Sequence, residues 1–133
     1  MVGKYVTLAD SYVSVNHALV HAGAKIGKTV AIEWIDSETL NGNIETLTKF
    51  DGILVPGGFG VRGSEGIIKT ANFAREKNIP YLGICFGFQL AAVAFGRYAC
   101  KFDDANSTEI APTTKHPIVD LLPEQKSVSN MGG

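Results

Sequence analysis

At residues 83–87 the chain reads Gly83-Ile84-Cys85-Phe86-Gly87, a pentapeptide that joins a short apolar run to a helix-like segment. The cysteine therefore stands where the chain must reverse sharply between a strand and a helix, as in a nucleophile elbow. The flanking glycines are expected to let the backbone bend tightly enough to hold Cys85 in a strained conformation above the end of a sheet. This pattern predicts a reactive thiol at Cys85.

The composition narrows the class of protein. Of the 133 residues, 45% are hydrophobic and 19% are charged, which predicts a globular domain with its own core. No apolar run approaches the roughly 18 to 20 residues that a bilayer span requires, and a formal net charge of -1 provides no basic stripe. We therefore expect neither a membrane nor a nucleic acid as a partner. Two cysteines are too few for a disulfide framework, which favours a cytoplasmic location.

Strand-like and helix-like patterns alternate along the chain. Strands are predicted over residues 5–9, 29–35, 52–56 and 81–84. Helices are predicted over residues 14–23, 65–77 and 86–95, and the mixed pattern of residues 36–50 leaves room for a short helix. The alternation predicts an α/β fold of three layers, with a mainly parallel central sheet between helices. The continuous apolar character of the strands at 52–56 and 81–84 indicates that helices cover both of their faces.

A second glycine-rich stretch, Pro56-Gly57-Gly58-Phe59-Gly60, directly follows the third predicted strand. Ligands of open parallel sheets bind beyond the carboxyl ends of the strands, and glycines there let backbone N–H groups approach a ligand closely. In an elbow, the residue after the nucleophile offers its own N–H at a helix N-terminus, whose dipole favours a thiolate. We therefore expect the Phe86 N–H and that of Gly57 or Gly58 to face one developing negative oxygen.

Three stretches together resemble the class I glutamine amidotransferase domain of the CTP synthase family, namely residues 56–60, 78–89 and 105–109. The opening residues 3–6 and 14–23 are also similar to the start of that domain, so the resemblance covers the whole chain. An elbow cysteine followed four residues later by glutamine is typical of the class, while residues 56–60 and 106–109 narrow it to this family. The fold implied is the flavodoxin-like three-layer arrangement of class I amidotransferases.

The resemblance also implies roles for individual residues. Cys85 would be the nucleophile that attacks the side-chain amide of L-glutamine and forms a γ-glutamyl thioester. Two residues would supply the oxyanion-hole N–H groups, Gly57 and Phe86. Four residues match family positions that hold the glutamine substrate: Gly58, Phe59, Gln89 and Glu109.

The family passes the released ammonia to a synthetase domain, where UTP activated by ATP becomes CTP. The resemblance therefore implies that this synthetase domain is a partner of the chain. ATP, UTP and Mg²⁺ are expected to bind there, with no cofactor and no metal on these 133 residues. The full enzyme is expected to be a cytoplasmic homo-oligomer.

The sequence departs from the family pattern in the general base. Class I amidotransferases complete a Cys-His-Glu triad with a His-x-Glu segment, and these 133 residues contain none. His17 and His21 fall on a predicted helix, and His116 precedes Pro117 in a weakly patterned tail. Residues 1–133 are therefore expected to form a partial amidotransferase domain, incomplete at its C-terminus. Because loss of a triad's base costs several orders of magnitude in rate, we expect the fragment alone to be nearly inactive.

Two other classes of protein remain open at this point. Another cysteine hydrolase with an elbow, such as a member of the DJ-1/PfpI superfamily or a dienelactone-hydrolase-like enzyme, would not require Gln89 together with residues 106–109. A non-enzymatic flavodoxin-like module could use the glycine loops to bind phosphate and would need no reactive thiol. Cys100 has no elbow context and is interpreted as an ordinary buried thiol.

Overall fold

The computed structural model describes residues 1–6 and 11–125. Its strands are β1 (Val2–Gly3), β2 (Ile35–Asp36), β3 (Ile53–Val55), β4 (Tyr81–Gly83), β5 (Asn106–Ser107) and β6 (Pro117–Val119). Its α-helices are α1 (Val13–Lys25), α2 (Ser64–Lys77) and α3 (Phe86–Ala94), and a π-helical turn, Phe95–Ala99, extends α3. Short 3₁₀ helices lie at Thr39–Asn41, Ile44–Lys49 and Pro123–Gln125.

Every strand pair in the described part of the chain is parallel, as expected for an α/β fold in which helices connect the strands. The strands form three short ladders, β1 with β2, β3 with β4, and β5 with β6, rather than one continuous hydrogen-bonded sheet. Each strand is only two or three residues long, so each ladder is short. The parallel α/β prediction is confirmed, while the single central sheet is resolved here as separate pairs.

The core lies where α2 and α3 pack on β3. All three residues of β3 are buried, and α2 and α3 also pack against each other. On α2 the buried side chains recur with helical spacing, and Ile67, Ile68 and Ala74 are at most 2% exposed. Phe86 and Leu90 of α3 are equally buried. The core therefore anchors both the strand before the glycine-rich loop and the helix after the cysteine.

The contact that positions the elbow joins it to the last residue of β3. The Val55 carbonyl accepts a hydrogen bond from the Ile84 N–H at 2.9 Å, just after β3 and β4 end in register. A methyl group on Gly87 would lie 2.2 Å from that same carbonyl oxygen, and one on Gly83 would lie 2.6 Å from the Phe88 nitrogen. Both elbow glycines are therefore required because backbone approaches backbone at these two places.

Two of the predicted strands are wrong. Tyr5 and Val6 are not in a strand, which instead lies earlier at β1, and residues 7–9 of that prediction lie outside the described residues. Of the strand predicted over 29–35, only Ile35 is in a ladder. Within the described residues, β2 pairs only with the two residues of β1, so the apolar run before Ile35 has no neighbouring strand to extend the ladder.

Burial also differs from the sequence-based expectation at two positions. β4 is not covered on both faces, since Leu82 is 55% exposed, and the prediction of a buried strand there is wrong. Cys100 is exposed rather than buried because it follows the π-helical turn, next to Lys101, whose φ of 62° turns the chain away. The helices predicted over 14–23, 65–77 and 86–95 are confirmed as α1, α2 and α3, and the mixed region 36–50 holds two 3₁₀ helices.

None of the helices within residues 1–6 and 11–125 combines the length and the apolar character that a membrane crossing demands.

An exposed hydrogen bond between Asp104 and His116 fastens the loop between α3 and β5 to the start of β6. The Asp104 carboxylate accepts hydrogen bonds from His116 Nδ1 and from the Lys115 N–H, the latter at 2.8 Å. The His116 ring stacks on Phe102 with the two planes 4° apart and the centroids 4.6 Å apart. The hydrogen bond from His116, followed by that from Lys115, lowers the pKa of Asp104 below its ordinary value of 3.8.

The close approach at Gly87 predicts a large loss of stability for Gly87→Ala. The added methyl group would overlap the Val55 carbonyl, which belongs to a buried strand and has little room to shift. We expect a decrease in the free energy of unfolding of about 2 kcal/mol or more, measured by urea denaturation followed by circular dichroism. Gly42→Ala is the control, because nothing lies within 4 Å of the added methyl group. Equal unfolding midpoints for the two variants would contradict the packing described.

The lowered pKa of Asp104 predicts how its contribution to stability depends on pH. A carboxyl whose pKa is lower in the folded state than in the unfolded state stabilises the fold at pH values above the unfolded-state pKa. This stabilisation is lost as the pH falls through the folded-state pKa. The melting temperature of wild type should therefore exceed that of Asp104→Asn at about pH 5. The difference between the two melting temperatures should disappear as the pH falls toward about 2. Asp103→Asn, at the exposed neighbouring carboxylate, is the control. A difference that persists unchanged in acid would count against stabilisation by the Asp104 carboxylate.

Candidate functional site

The thiol of Cys85 is exposed and stands at the junction of β4 and α3. The residue has φ 52° and ψ -112°, a left-handed conformation that is strained for a residue with a side chain. The strain therefore lies at the cysteine itself, whereas neither Gly83 nor Gly87 has a positive φ. The sequence-based account of the glycines is corrected on this point: they provide room for the elbow, and Cys85 makes the bend.

The glycine-rich loop, residues 56–60, lies directly beside the cysteine. A methyl group on Gly57 would be 3.6 Å from Cβ and 4.0 Å from Sγ of Cys85. Within the part of the chain that the structure describes, the N–H groups of Gly57, Gly58 and Phe86 donate to no acceptor. Phe86 is the first residue of α3, where the N–H has no partner inside the helix. Unpaired backbone donors therefore flank an exposed thiol.

Glu109 reaches the glycine-rich loop from the turn that follows β5. Its Oε1 accepts a hydrogen bond from the Gly60 N–H at 2.7 Å, and its side chain is otherwise open to solvent. The turn is held by buried polar residues, since Asn106 Oδ1 accepts from the Ser107 N–H at 2.9 Å and Ser107 Oγ accepts from the Glu109 N–H at 3.3 Å. The polar segment at 106–109 therefore orients Glu109 through its own backbone.

The other predicted substrate-binding residues border the same region. Phe59 is 72% exposed at the outside of the loop, and Gly58 is half-buried. Gln89 lies one helical turn after the cysteine, where its N–H donates to the Cys85 carbonyl at 3.1 Å. Direct contacts therefore join the glycine-rich loop to the elbow at Gly57 and to the turn after β5 at Gly60. The roles of Gly58, Phe59, Gln89 and Glu109 toward a substrate stay predictions.

Two side chains near the loop were missed by the sequence analysis. Lys4, just after β1, is 4% exposed, and its Nζ donates to the carbonyls of Phe59, at 3.1 Å, and Gly60. The Tyr12 hydroxyl donates to the Gly57 carbonyl at 3.3 Å, and its ring stacks on Trp34 with centroids 5.7 Å apart. No periodicity marks either residue, although Gly3-Lys4-Tyr5 belongs to the opening segment that carries part of the family resemblance.

The histidines lie away from this arrangement. His17 and His21 are exposed on α1, and His116 is paired with Asp104. Across residues 1–6 and 11–125, no histidine hydrogen-bonds to Cys85. The same residues contain no group of three or more His, Cys, Asp or Glu side chains arranged to hold a metal ion.

Comparison with known proteins agrees with this arrangement. The family model for glutamine amidotransferase class-I matches residues 7–133. The chain is 54% identical over 134 residues to a CTP synthase of Archaeoglobus fulgidus and 52% identical over 137 residues to one of Methanopyrus kandleri. Each match covers 100% of this chain but 25% and 26% of those proteins, so the chain spans about a quarter of the length of the curated relatives it matches.

A solved structure is similar in fold as well as in sequence. The glutaminase domain of the Trypanosoma brucei CTPS, with bound acivicin, matches with a TM-score of 0.87 and 36% identity, covering 93% of this chain and 49% of that one. The family model spans nearly the whole chain, and the elbow, the glycine-rich loop and the Glu109 turn lie together within it. On this evidence the chain belongs to the class I glutamine amidotransferases.

Proposed function

We propose that this chain is the glutaminase part of a CTP synthase, which releases ammonia from L-glutamine for the amination of UTP. The observation that carries the proposal is the exposed Cys85 thiol at positive φ, beside the Gly57 backbone and at the start of α3. High identity to CTP synthases along the full chain supports the same activity.

In the proposed reaction the Cys85 thiolate attacks Cδ of the glutamine side chain, and a C–S bond forms while the carbonyl electron pair moves onto oxygen. The unpaired N–H groups of Phe86 and of Gly57 or Gly58 would donate to that oxyanion. When the intermediate collapses, the C–N bond breaks and the nitrogen leaves as ammonia after receiving a proton. Water then attacks the thioester, which releases glutamate and restores the thiol.

The α-amino acid end of glutamine would bind at the other side of the loop. The Glu109 carboxylate uses Oε1 to accept from Gly60, so Oε2 remains able to accept from the substrate ammonium. Gly58 and the exposed Phe59 would contact the substrate along the loop, and Gln89 would do so from the first turns of α3. The bound acivicin in the trypanosomal glutaminase domain supports a pocket of this kind.

The rest of the reaction is proposed to need residues beyond these 133. The histidines at 17, 21 and 116 make no hydrogen bond to Cys85 within the described residues, so we infer that the base is the His-x-Glu pair typical of the class. Residues 1–133 would then form a partial glutaminase domain, nearly inactive alone. ATP, UTP and Mg²⁺ would bind the synthetase domain of a homo-oligomeric, cytoplasmic enzyme, a location that the free Cys85 and Cys100 support.

Thiol labelling tests the proposed function without requiring the general base. A chloroketone analogue of glutamine should alkylate Cys85 selectively, because the analogue carries the groups that Glu109 and the loop would bind. Intact-mass spectrometry should detect one adduct, peptide mapping should assign it to Cys85, and millimolar-range glutamine should slow its formation. Cys85→Ser should abolish the adduct, whereas Cys100→Ser, at the other exposed thiol, should leave it unchanged.

The outcomes distinguish the proposed function from its rivals. Labelling that glutamine does not slow would point to another cysteine hydrolase with an elbow. Equal labelling of Cys85 and Cys100, at the slow rate of ordinary exposed thiols, would favour a binding module without a reactive cysteine and overturn the glutaminase assignment.

A further inference from the structure

We propose that Lys4 is a positioning residue for glutamine hydrolysis, which holds the glycine-rich loop in the conformation that leaves the N–H groups of Gly57 and Gly58 free beside Cys85. This inference rests on the proposed glutaminase function. Lys4 does not touch the reacting atoms and acts through the backbone of residues 57–60.

A lysine is buried next to the glycine-rich loop. Lys4 is 4% exposed, although lysine side chains are almost never fully buried unless they are paired. Its stem packs beneath the loop, since a methyl group on Gly58 would lie 3.7 Å from Lys4 Cδ. Its ammonium lies 4.2 Å from the centre of the Phe86 ring, so one side chain contacts both the loop and the first residue of α3.

The peptide group between Phe59 and Gly60 has a charged partner at each end. Lys4 Nζ donates to its carbonyl oxygen at 3.1 Å, while its N–H donates to Glu109 Oε1 at 2.7 Å. A cation therefore faces the negative end of the peptide dipole and an anion faces the positive end. Lys4 also donates to the next carbonyl, that of Gly60, whose φ of 83° makes the loop turn. These charge-assisted contacts fix the peptide plane more strongly than neutral hydrogen bonds would.

Arg62 in turn supports the backbone of Lys4. Arg62 Nη2 donates to the Lys4 carbonyl at 2.7 Å, and Arg62 Nη1 pairs with Glu38 at 2.8 Å. Burial lowers the pKa of Lys4, the nearby Glu109 raises it, Arg62 lowers it further and Glu38 raises it. A buried cation is costly unless it is hydrogen-bonded, so its presence here argues for a requirement that an apolar side chain would not meet.

The test compares Lys4→Gln with Lys4→Arg and with Lys49→Gln, a control at an exposed lysine that pairs with Glu33. Alkylation of Cys85 by the glutamine-analogue chloroketone forms an oxyanion and reports on the loop donors. Alkylation by iodoacetamide reports only on the thiol. We expect Lys4→Gln to slow the maximal chloroketone rate by about tenfold or more and to change the iodoacetamide rate by less than about twofold. It should also speed amide exchange at Gly60, the loop residue whose N–H is hydrogen-bonded.

The conservative variant separates positioning from simple packing. Lys4→Arg keeps the cation and several donors, so it should recover most of the lost chloroketone rate, and Lys49→Gln should match wild type. The inference would be overturned if Lys4→Gln reacted with the chloroketone as fast as wild type does. It would also be overturned if the variant lost the same factor in rate with the chloroketone and with iodoacetamide. If wild type itself shows no labelling that glutamine slows, the proposed function fails first and the role of Lys4 fails with it.

A measurement on wild type keeps the inference testable if Lys4→Gln does not fold. In ¹⁵N-labelled protein, the Lys4 ammonium should give a resolved, slowly exchanging signal because it is buried and hydrogen-bonded to two carbonyls. A signal that exchanges as fast as those of exposed lysines would show that the ammonium does not hold the loop.

Discussion

The structure depends on the close contact between the end of β3 and the elbow. The Val55 carbonyl accepts the Ile84 N–H and lies against the Cα of Gly87, so strand and elbow approach without an intervening side chain. This contact sets where β4 ends and where α3 begins. Cys85, between them, takes a positive φ that a residue with a side chain adopts only when its surroundings enforce it. The buried β3, α2 and α3 supply that enforcement.

The same contact explains why the thiol and the loop donors are close together. β3 and β4 are parallel and end in register at Val55 and Gly83, so the segments that follow both strands leave the ladder at the same edge. One segment carries the glycine-rich loop and the other carries Cys85, and Gly57 meets Cys85 there. The closeness of the thiol and the loop N–H groups is therefore a consequence of strand direction and register.

Much of the fold and of the candidate site was predictable from the sequence, and the predictions that failed share one cause. The helices α2 and α3 and the elbow were predicted because residue patterning and glycine placement are local signals. The strand at 29–35 failed because pairing depends on a partner strand that the local sequence does not specify, and only Ile35 finds one. The prediction that the strand at 81–84 is buried failed at Leu82 for the same reason, since an apolar run does not reveal which of its faces a neighbour covers. Lys4 gave no local signal because its ammonium hydrogen-bonds to carbonyls 55 and 56 residues away.

Polar side chains surround the glycine-rich loop because its backbone groups need hydrogen-bond partners. The glycine-rich loop joins no ladder, so its buried carbonyls must find donors elsewhere. They find them in side chains: Tyr12 donates to Gly57, and Lys4 donates to Phe59 and Gly60. The one loop N–H that is paired, that of Gly60, goes to Glu109 rather than to backbone. A glycine-rich loop whose N–H groups stay outside any ladder is therefore supported by side-chain donors to its carbonyls, and the buried Lys4 is one of them.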